Sequence, residues 1–111
     1  MLTAVQQERF SRHLLLDGFD QDKVRQASFH VRGRGGAALW AARYLAASGC
    51  GTLVVDEPAW EDELRRLGPW TDLIGPAAEE IVIEDAREGA AEGAMRGAQA
   101  ALDALRKVVA R

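Results

Sequence analysis

The chain has 111 residues, 48% of them hydrophobic, and its 17 acidic and 14 basic residues give a formal net charge of −3. This length suits one domain with one core, and the acidic balance argues against nucleic-acid binding. The single cysteine excludes an internal disulfide and a four-thiolate zinc site, so we expect no zinc. Because there is neither a membrane-spanning apolar run nor a signal-like amino terminus, a cytoplasmic protein without membrane contact is expected.

Two helices are predicted before the first strand. Thr3 and Gln6 have the spacing of a capping box for a helix that ends near Leu16. Asp20 is placed to cap a second, shorter helix. We therefore assign residues 1–27 to amino-terminal helices within a single domain that spans the whole chain.

Residues 28–111 are predicted to form a βαβ core and a carboxy-terminal helix. Strands are expected at Phe29–Arg32 and Thr52–Asp56, with a crossover helix at Ala37–Ser48 between them. The predicted fold class is therefore α/β: a small Rossmann-like three-layer domain with a short, mainly parallel sheet, preceded by amino-terminal helices.

The second half of the chain alternates further helices with a third strand. Trp60–Leu67 is predicted to form a helical turn or two, Glu80–Glu84 a strand, and Gly89–Val109 the clearest helix. The helical spacing places one apolar stripe on that last helix, at Met95, Ala98, Leu102, Leu105 and Val109. We expect this stripe to pack on the sheet; a partner helix is the less favoured alternative.

A glycine cluster, Gly33-Arg34-Gly35-Gly36, joins the first strand to the crossover helix in a G-x-G-x-x-A pattern. Glycines let the backbone approach a ligand closely, and the amides of the following helix favour an anion. Asp56 ends the second strand, 20 residues beyond Gly36, where a ribose-binding carboxylate is expected. The pattern predicts a nucleotide site at the carboxyl edge of the sheet. A tight βα turn that binds nothing is the alternative.

Polar residues alternate with apolar ones in the first strand, whose sequence is Phe29-His30-Val31-Arg32. A central parallel strand is usually apolar throughout, so one face of this sheet is expected to be poorly covered. His30 and Arg32 then mark a solvent face or a subunit contact. Arg32 and Arg34 flank Gly33, where they either assist phosphate binding or are ordinary surface arginines.

Several segments resemble the opening of the ThiF/MoeB/HesA family of ubiquitin-activating-type enzymes. The resemblance covers about residues 6–57, half of the chain, and is carried by Glu8–Leu16, Gly18–Asp20, Tyr44–Leu53 and Val55–Asp56. Those enzymes use ATP and magnesium to adenylate the carboxyl terminus of a ubiquitin-like or sulfur-carrier protein. The resemblance implies that the glycine loop binds the phosphates of ATP or another adenine nucleotide and that Asp56 holds the ribose. In MoeB-type dimers, Arg12 would enter the neighbouring subunit's pocket.

The chain also departs from the family pattern. Pro58 replaces a second acid, the Ser-Asn-Leu-x-Arg-Gln segment is missing, and Arg87 stands where a metal-binding acid is expected. The only lysines, Lys23 and Lys107, do not match the family's nucleotide-contacting lysine. The chain is also about half the length of the full enzymes. Cys50 occupies a packing position, so no catalytic residue and no metal ligand is assigned.

These departures favour a truncated, non-catalytic interaction or regulatory module that forms a homodimer. Its expected partners are a ubiquitin-like or sulfur-carrier protein, or a full-length enzyme of the family. Two alternatives remain open. One is a minimal adenylyltransferase completed by a partner subunit, and the other is a small NAD- or FAD-binding protein.

Overall fold

Three short parallel strands and four α-helices make up the described part of the chain, residues 21–110 of a computed structural model. The predicted first helix and Arg12 lie outside these residues. The helices and strands, in chain order, are α1 (Gln21–Gln26), β1 (Ser28–Arg32), α2 (Gly36–Ser48), β2 (Thr52–Val55), a 3-10 turn (Pro58–Trp60), α3 (Glu61–Leu67), β3 (Glu79–Val82) and α4 (Ala90–Val109).

The sheet has the strand order β2-β1-β3, and both neighbouring pairs are parallel. In the register, Val31 of β1 lies opposite Val55 on one side and Ile81 on the other. Parallel neighbours need a crossover connection, which α2 supplies between β1 and β2. The predicted α/β class, a small Rossmann-like domain with a short parallel sheet, is confirmed.

The two faces of β1 have different environments. Phe29 and Val31 are fully buried in a core that they share with side chains of all four helices. His30 and Arg32 point to the other face, where Val82, opposite Arg32 in the register, is 64% exposed. Within residues 21–110 the hydrophobic core therefore lies on one side of the sheet, as the alternation in β1 predicts.

The longest helix, α4, packs closely against α2 through its smallest residues. A Cβ atom on Gly97 would lie 2.3 Å from the carbonyl oxygen of Ala37 and 2.8 Å from the Cβ of Trp40. The buried positions of α4 are Gly93, Gly97, Ala101, Leu105 and Val108. The predicted stripe is therefore wrong in its orientation: Leu105 is buried, but Met95 is 73% exposed. Glycine and alanine allow the two backbones to approach, whereas larger side chains would hold them apart.

The segment between α3 and β3 forms part of the sheet edge. Asp72 bridges to Thr52 in parallel fashion: the Leu53 amide donates to the Asp72 carbonyl at 2.8 Å, and the Asp72 amide donates to the Gly51 carbonyl at 2.9 Å. The Thr71 hydroxyl is 2.7 Å from the Cys50 carbonyl, to which it donates. This loop therefore covers part of the outer edge of β2. None of the helices in residues 21–110 is long and apolar enough to cross a membrane.

Substituting Gly97 by alanine should destabilise the chain by about 1–3 kcal/mol, because the added methyl group overlaps the α2 backbone. The higher helix propensity of alanine, worth about 1 kcal/mol, only partly offsets that overlap. Urea unfolding followed by circular dichroism measures the difference.

Gly93 provides the matched control, one turn earlier on the same buried side of α4. Its added Cβ would meet no atom closer than 3.5 Å, so Gly93→Ala should raise the free energy of unfolding by up to about 1 kcal/mol. Equal effects of the two substitutions would contradict the close α2–α4 contact.

Candidate functional site

The carboxyl ends of the three parallel strands meet at one edge of the sheet, where the glycine loop begins. The Gly33 amide donates a 3.1 Å hydrogen bond to Oδ2 of Asp56, which follows β2. Gly35 and Gly36 begin α2, with Gly35 as its N-cap residue. The structure therefore brings the predicted Gly33, Gly35, Gly36 and Asp56 to the same edge.

Gly33 is required by its backbone conformation and by its surroundings. Its φ of +138° is rarely adopted by residues that carry a side chain. A Cβ atom at this position would also lie 2.4 Å from the carbonyl oxygen of Ile83, which follows β3. Because Gly33 has no side chain, the loop after β1 can contact both Asp56, which follows β2, and Ile83, which follows β3.

Asp56 is held by a histidine that the sequence analysis did not assign to the site. Nε2 of His30 lies 2.8 Å from Oδ1 of Asp56, and about 30% of each side chain is exposed. This hydrogen bond, with a smaller contribution from the Gly33 amide, holds the pKa of Asp56 below its usual value of 3.8. The parallel register explains the contact and could have predicted it: His30 lies opposite Val54, two residues before Asp56.

The amino end of α2 has no side-chain cap and no acidic residue in its first turn. A carboxylate from elsewhere in the chain lies beside it: Oδ1 of Asp85 would be 2.2 Å from a Cβ atom on Gly35. A pocket of about 200 Å³ between α2 and α4 adjoins this position. Its lining includes Gly35, Gly36, Trp40, Asp85, Glu88 and Arg96.

The loop arginines lie near glutamates. Nη1 of Arg34 is 3.8 Å from a carboxylate oxygen of Glu57, and Nη1 of Arg32 is 3.5 Å from one of Glu80. Both arginines are more than half exposed and both distances are long, so each pair contributes little to stability. These glutamates do, however, place a negative charge beside Arg32 and Arg34, the two arginines that the sequence analysis proposed as phosphate ligands.

Arg96 is a further cation at this edge that the sequence analysis did not assign to the site. Its Nε and Nη2 atoms both donate to the Glu88 carboxylate, the shortest contact being 2.7 Å. Nη2 also donates to the Glu84 carbonyl at 2.8 Å. The Arg96 hydrogen bond keeps the pKa of Glu88 below its usual value. Arg96 therefore fixes the loop between β3 and α4.

Cys50 is fully buried, and burial raises the pKa of its thiol to about 12. A thiol in this state is a poor nucleophile at neutral pH, which agrees with a packing role. In the part of the chain that the structure describes, no group of three or more histidine, cysteine, aspartate or glutamate side chains could hold a metal ion.

A larger pocket, of about 580 Å³, lies at the opposite end of β2. Its lining is mostly apolar and includes Gln21, Arg25, Cys50, Leu67 and Trp70. None of the predicted site residues within residues 21–110 contributes to it. The carboxyl edge, although its pocket is smaller, is where loop amides and a carboxylate converge.

Comparison with protein-family models, with curated proteins and with solved structures found no match to this chain.

Replacing Asp56 by asparagine should make the free energy of unfolding depend less on pH under acidic conditions. Since the folded pKa of Asp56 is lowered, its ionised form stabilises the fold above about pH 4, and that contribution is lost as the pH falls through the lowered pKa. The wild-type free energy of unfolding should therefore fall more steeply than that of Asp56→Asn between about pH 5 and about pH 3. At neutral pH the substitution should cost about 1 kcal/mol, the contribution of a partly exposed hydrogen bond.

Asp72→Asn removes an exposed carboxylate outside this network and should leave the profile unchanged. Parallel profiles for the wild type and Asp56→Asn, measured by chemical unfolding at each pH, would show that the His30–Asp56 contact does not stabilise the fold.

Proposed function

We propose that this chain is a ThiF/MoeB-like nucleotide-binding-fold protein that acts as a non-catalytic interaction or regulatory module. It would serve a process related to the ATP-dependent activation of ubiquitin-like or sulfur-carrier proteins. The observation that carries the proposal is the meeting of the Gly33 amide, the Asp56 carboxylate and the start of α2 at one sheet edge. The residues that resemble the family support it independently.

The proposed ligand is ATP or another adenine nucleotide, bound at this edge. Among residues 21–110, each Asp56 oxygen accepts one hydrogen bond, and a carboxylate oxygen has the capacity to accept a second one from a ribose hydroxyl. The first-turn amides of α2 would face the phosphate side of the ligand. With Arg32 and Arg34 beside glutamates, we expect a dissociation constant on the order of 0.1–1 mM, or about 4–5.5 kcal/mol.

The position of Lys23 supports a module that does not turn ATP over. Adenylation concentrates negative charge on the α-phosphate, and loss of a positioned cation there costs a few kcal/mol of transition-state stabilisation. The Lys23 ammonium donates to the carbonyl of Val109, at the carboxyl end of α4. The opposite end of this 20-residue helix, roughly 30 Å away, adjoins the glycine loop.

The proposal includes a homodimer formed through the sheet face that carries His30, Arg32 and Val82. Val82 is exposed there, and Arg32 lies beside Glu80 on the same face, so the surface combines apolar and charged groups. A carrier protein or a full-length enzyme of the family is the proposed further partner.

Adenine nucleotides should bind without being turned over. Calorimetry with ATP should give millimolar or slightly tighter binding, and Asp56→Asn should weaken it about tenfold because the ribose acceptor loses its charge. ATP–pyrophosphate exchange with a carrier protein should stay at background. Asp72→Asn is the matched control and should bind like the wild type.

Exchange clearly above background that Asp56→Ala abolishes would show an enzyme instead. Failure of a folded chain to bind any adenine nucleoside or nucleotide at millimolar concentration would leave the glycine cluster as a βα turn without a ligand.

Sedimentation at tens of micromolar protein should show a dimer that Val82→Glu dissociates, because a charge placed on the exposed sheet face opposes association. Ile74→Glu alters an even more exposed apolar residue, in the loop before β3, and should leave the dimer intact. A strictly monomeric wild type, or equal effects of both substitutions, would contradict the proposed surface.

A further inference from the structure

The Asp85 carboxylate lies against Gly35, the N-cap residue of α2, at the end of the proposed site where a phosphate would bind. An ideal Cβ atom on Gly35 would stand 2.2 Å from Oδ1 of Asp85 and 3.0 Å from its Cγ. The Asp85 carboxylate therefore fills the space that a side chain at position 35 would take. Gly36, the next residue, has no atom within 4 Å of the equivalent position. The contact is specific to Gly35.

The neighbouring cation does not compensate this negative charge fully. In the lining of the pocket between α2 and α4, Asp85 and Glu88 supply two carboxylates and Arg96 one guanidinium. The guanidinium makes its two-atom contact with Glu88 and also donates to the Glu84 carbonyl. The hydrogen bond to Glu88 is the main cause of the raised pKa of Arg96, and the charge of Asp85 adds a smaller contribution through space. The described lining thus carries one net negative charge.

Phosphate recognition at a helix amino terminus requires the opposite arrangement. Backbone amides and the helix dipole attract an anion, and a nearby cation usually adds to that attraction. A carboxylate a few ångströms away repels the same anion, and at that distance the repulsion amounts to about 1 kcal/mol even in a solvent-exposed site. The ribose side of the edge, formed by Asp56 with the Gly33 amide, does not require a charged ligand.

We propose that Asp85 sets the charge preference of the carboxyl-edge site, so that it takes a neutral ribonucleoside in preference to the corresponding nucleotide. This inference rests on the proposed function, since it uses the same edge, and it assigns the charge class of the ligand. Asp85 acts as a specificity-determining residue: it leaves the ribose contacts alone and disfavours a phosphate next to Gly35.

The test is calorimetry with adenosine, AMP and ATP, without divalent cations, on the wild type and on Asp85→Asn. The wild type should bind adenosine about tenfold more tightly than AMP, a difference of ~1.4 kcal/mol. In Asp85→Asn, AMP should gain about tenfold while adenosine stays within about twofold. Glu84→Gln removes the adjacent exposed carboxylate and should behave like the wild type.

Inorganic phosphate gives a readout that does not depend on the ribose contacts. At millimolar concentration it should raise the melting temperature of Asp85→Asn and leave those of the wild type and Glu84→Gln unchanged. Because the Asp85 side chain is exposed, the asparagine variant should fold, and circular dichroism checks this directly.

Equal affinities of the wild type for adenosine and AMP, or an asparagine variant with unchanged AMP and phosphate responses, would overturn the inference and leave the proposed function standing. Magnesium-dependent ATP binding that Asp85→Asn abolishes would also overturn it, since Asp85 would then be a metal ligand. Failure of all three adenine compounds to bind either protein would overturn the proposed function itself, and this inference with it.

Discussion

The missing side chain of Gly33 is the constraint on which the carboxyl edge depends. This residue follows β1, its amide reaches the carboxylate that follows β2, and its Cα lies against the Ile83 carbonyl that follows β3. One position thus joins the ends of all three strands. A methyl group there would have to displace backbone, and backbone in a close-packed interior moves only at a cost. The positions of Asp56, His30 and the start of α2 follow from this junction.

The same dependence on small residues extends into the core. The buried side of α2 consists mainly of alanines, and Gly97 of α4 packs directly onto its backbone. Few large side chains, chiefly Phe29, Leu45 and Leu53, fill the remaining space. Close backbone approach gives many weak dispersion contacts in place of a few large buried groups. The core is therefore expected to tolerate changes of side-chain polarity at its rim better than changes of volume at its small residues.

Local patterns predicted the elements, and long-range geometry determined what the sequence analysis missed. The glycine cluster, the alternation in β1 and the apolar run of β2 identified the βαβ unit because each signal lies within a few residues. The α4 stripe failed because periodicity favours large apolar residues such as Met95, whereas the actual contact needed Gly97. The His30–Asp56 bond and the Asp85–Gly35 contact join segments 26 and 50 residues apart, and only the parallel register brings them together.

The loop that carries Asp72 has a consequence for how this chain meets other chains through its backbone. Asp72 pairs with the Leu53 amide of β2 and with the carbonyl of Gly51 just before it, two outward-facing groups that would otherwise be available to a strand of another chain. Among residues 21–110, β3 pairs only with β1, so a strand from another chain could add to the sheet along the outer edge of β3. That strand begins with two consecutive glutamates, Glu79 and Glu80. A second copy of β3 paired there in parallel and in register would place glutamate against glutamate, which disfavours amyloid-type stacking of the folded chain.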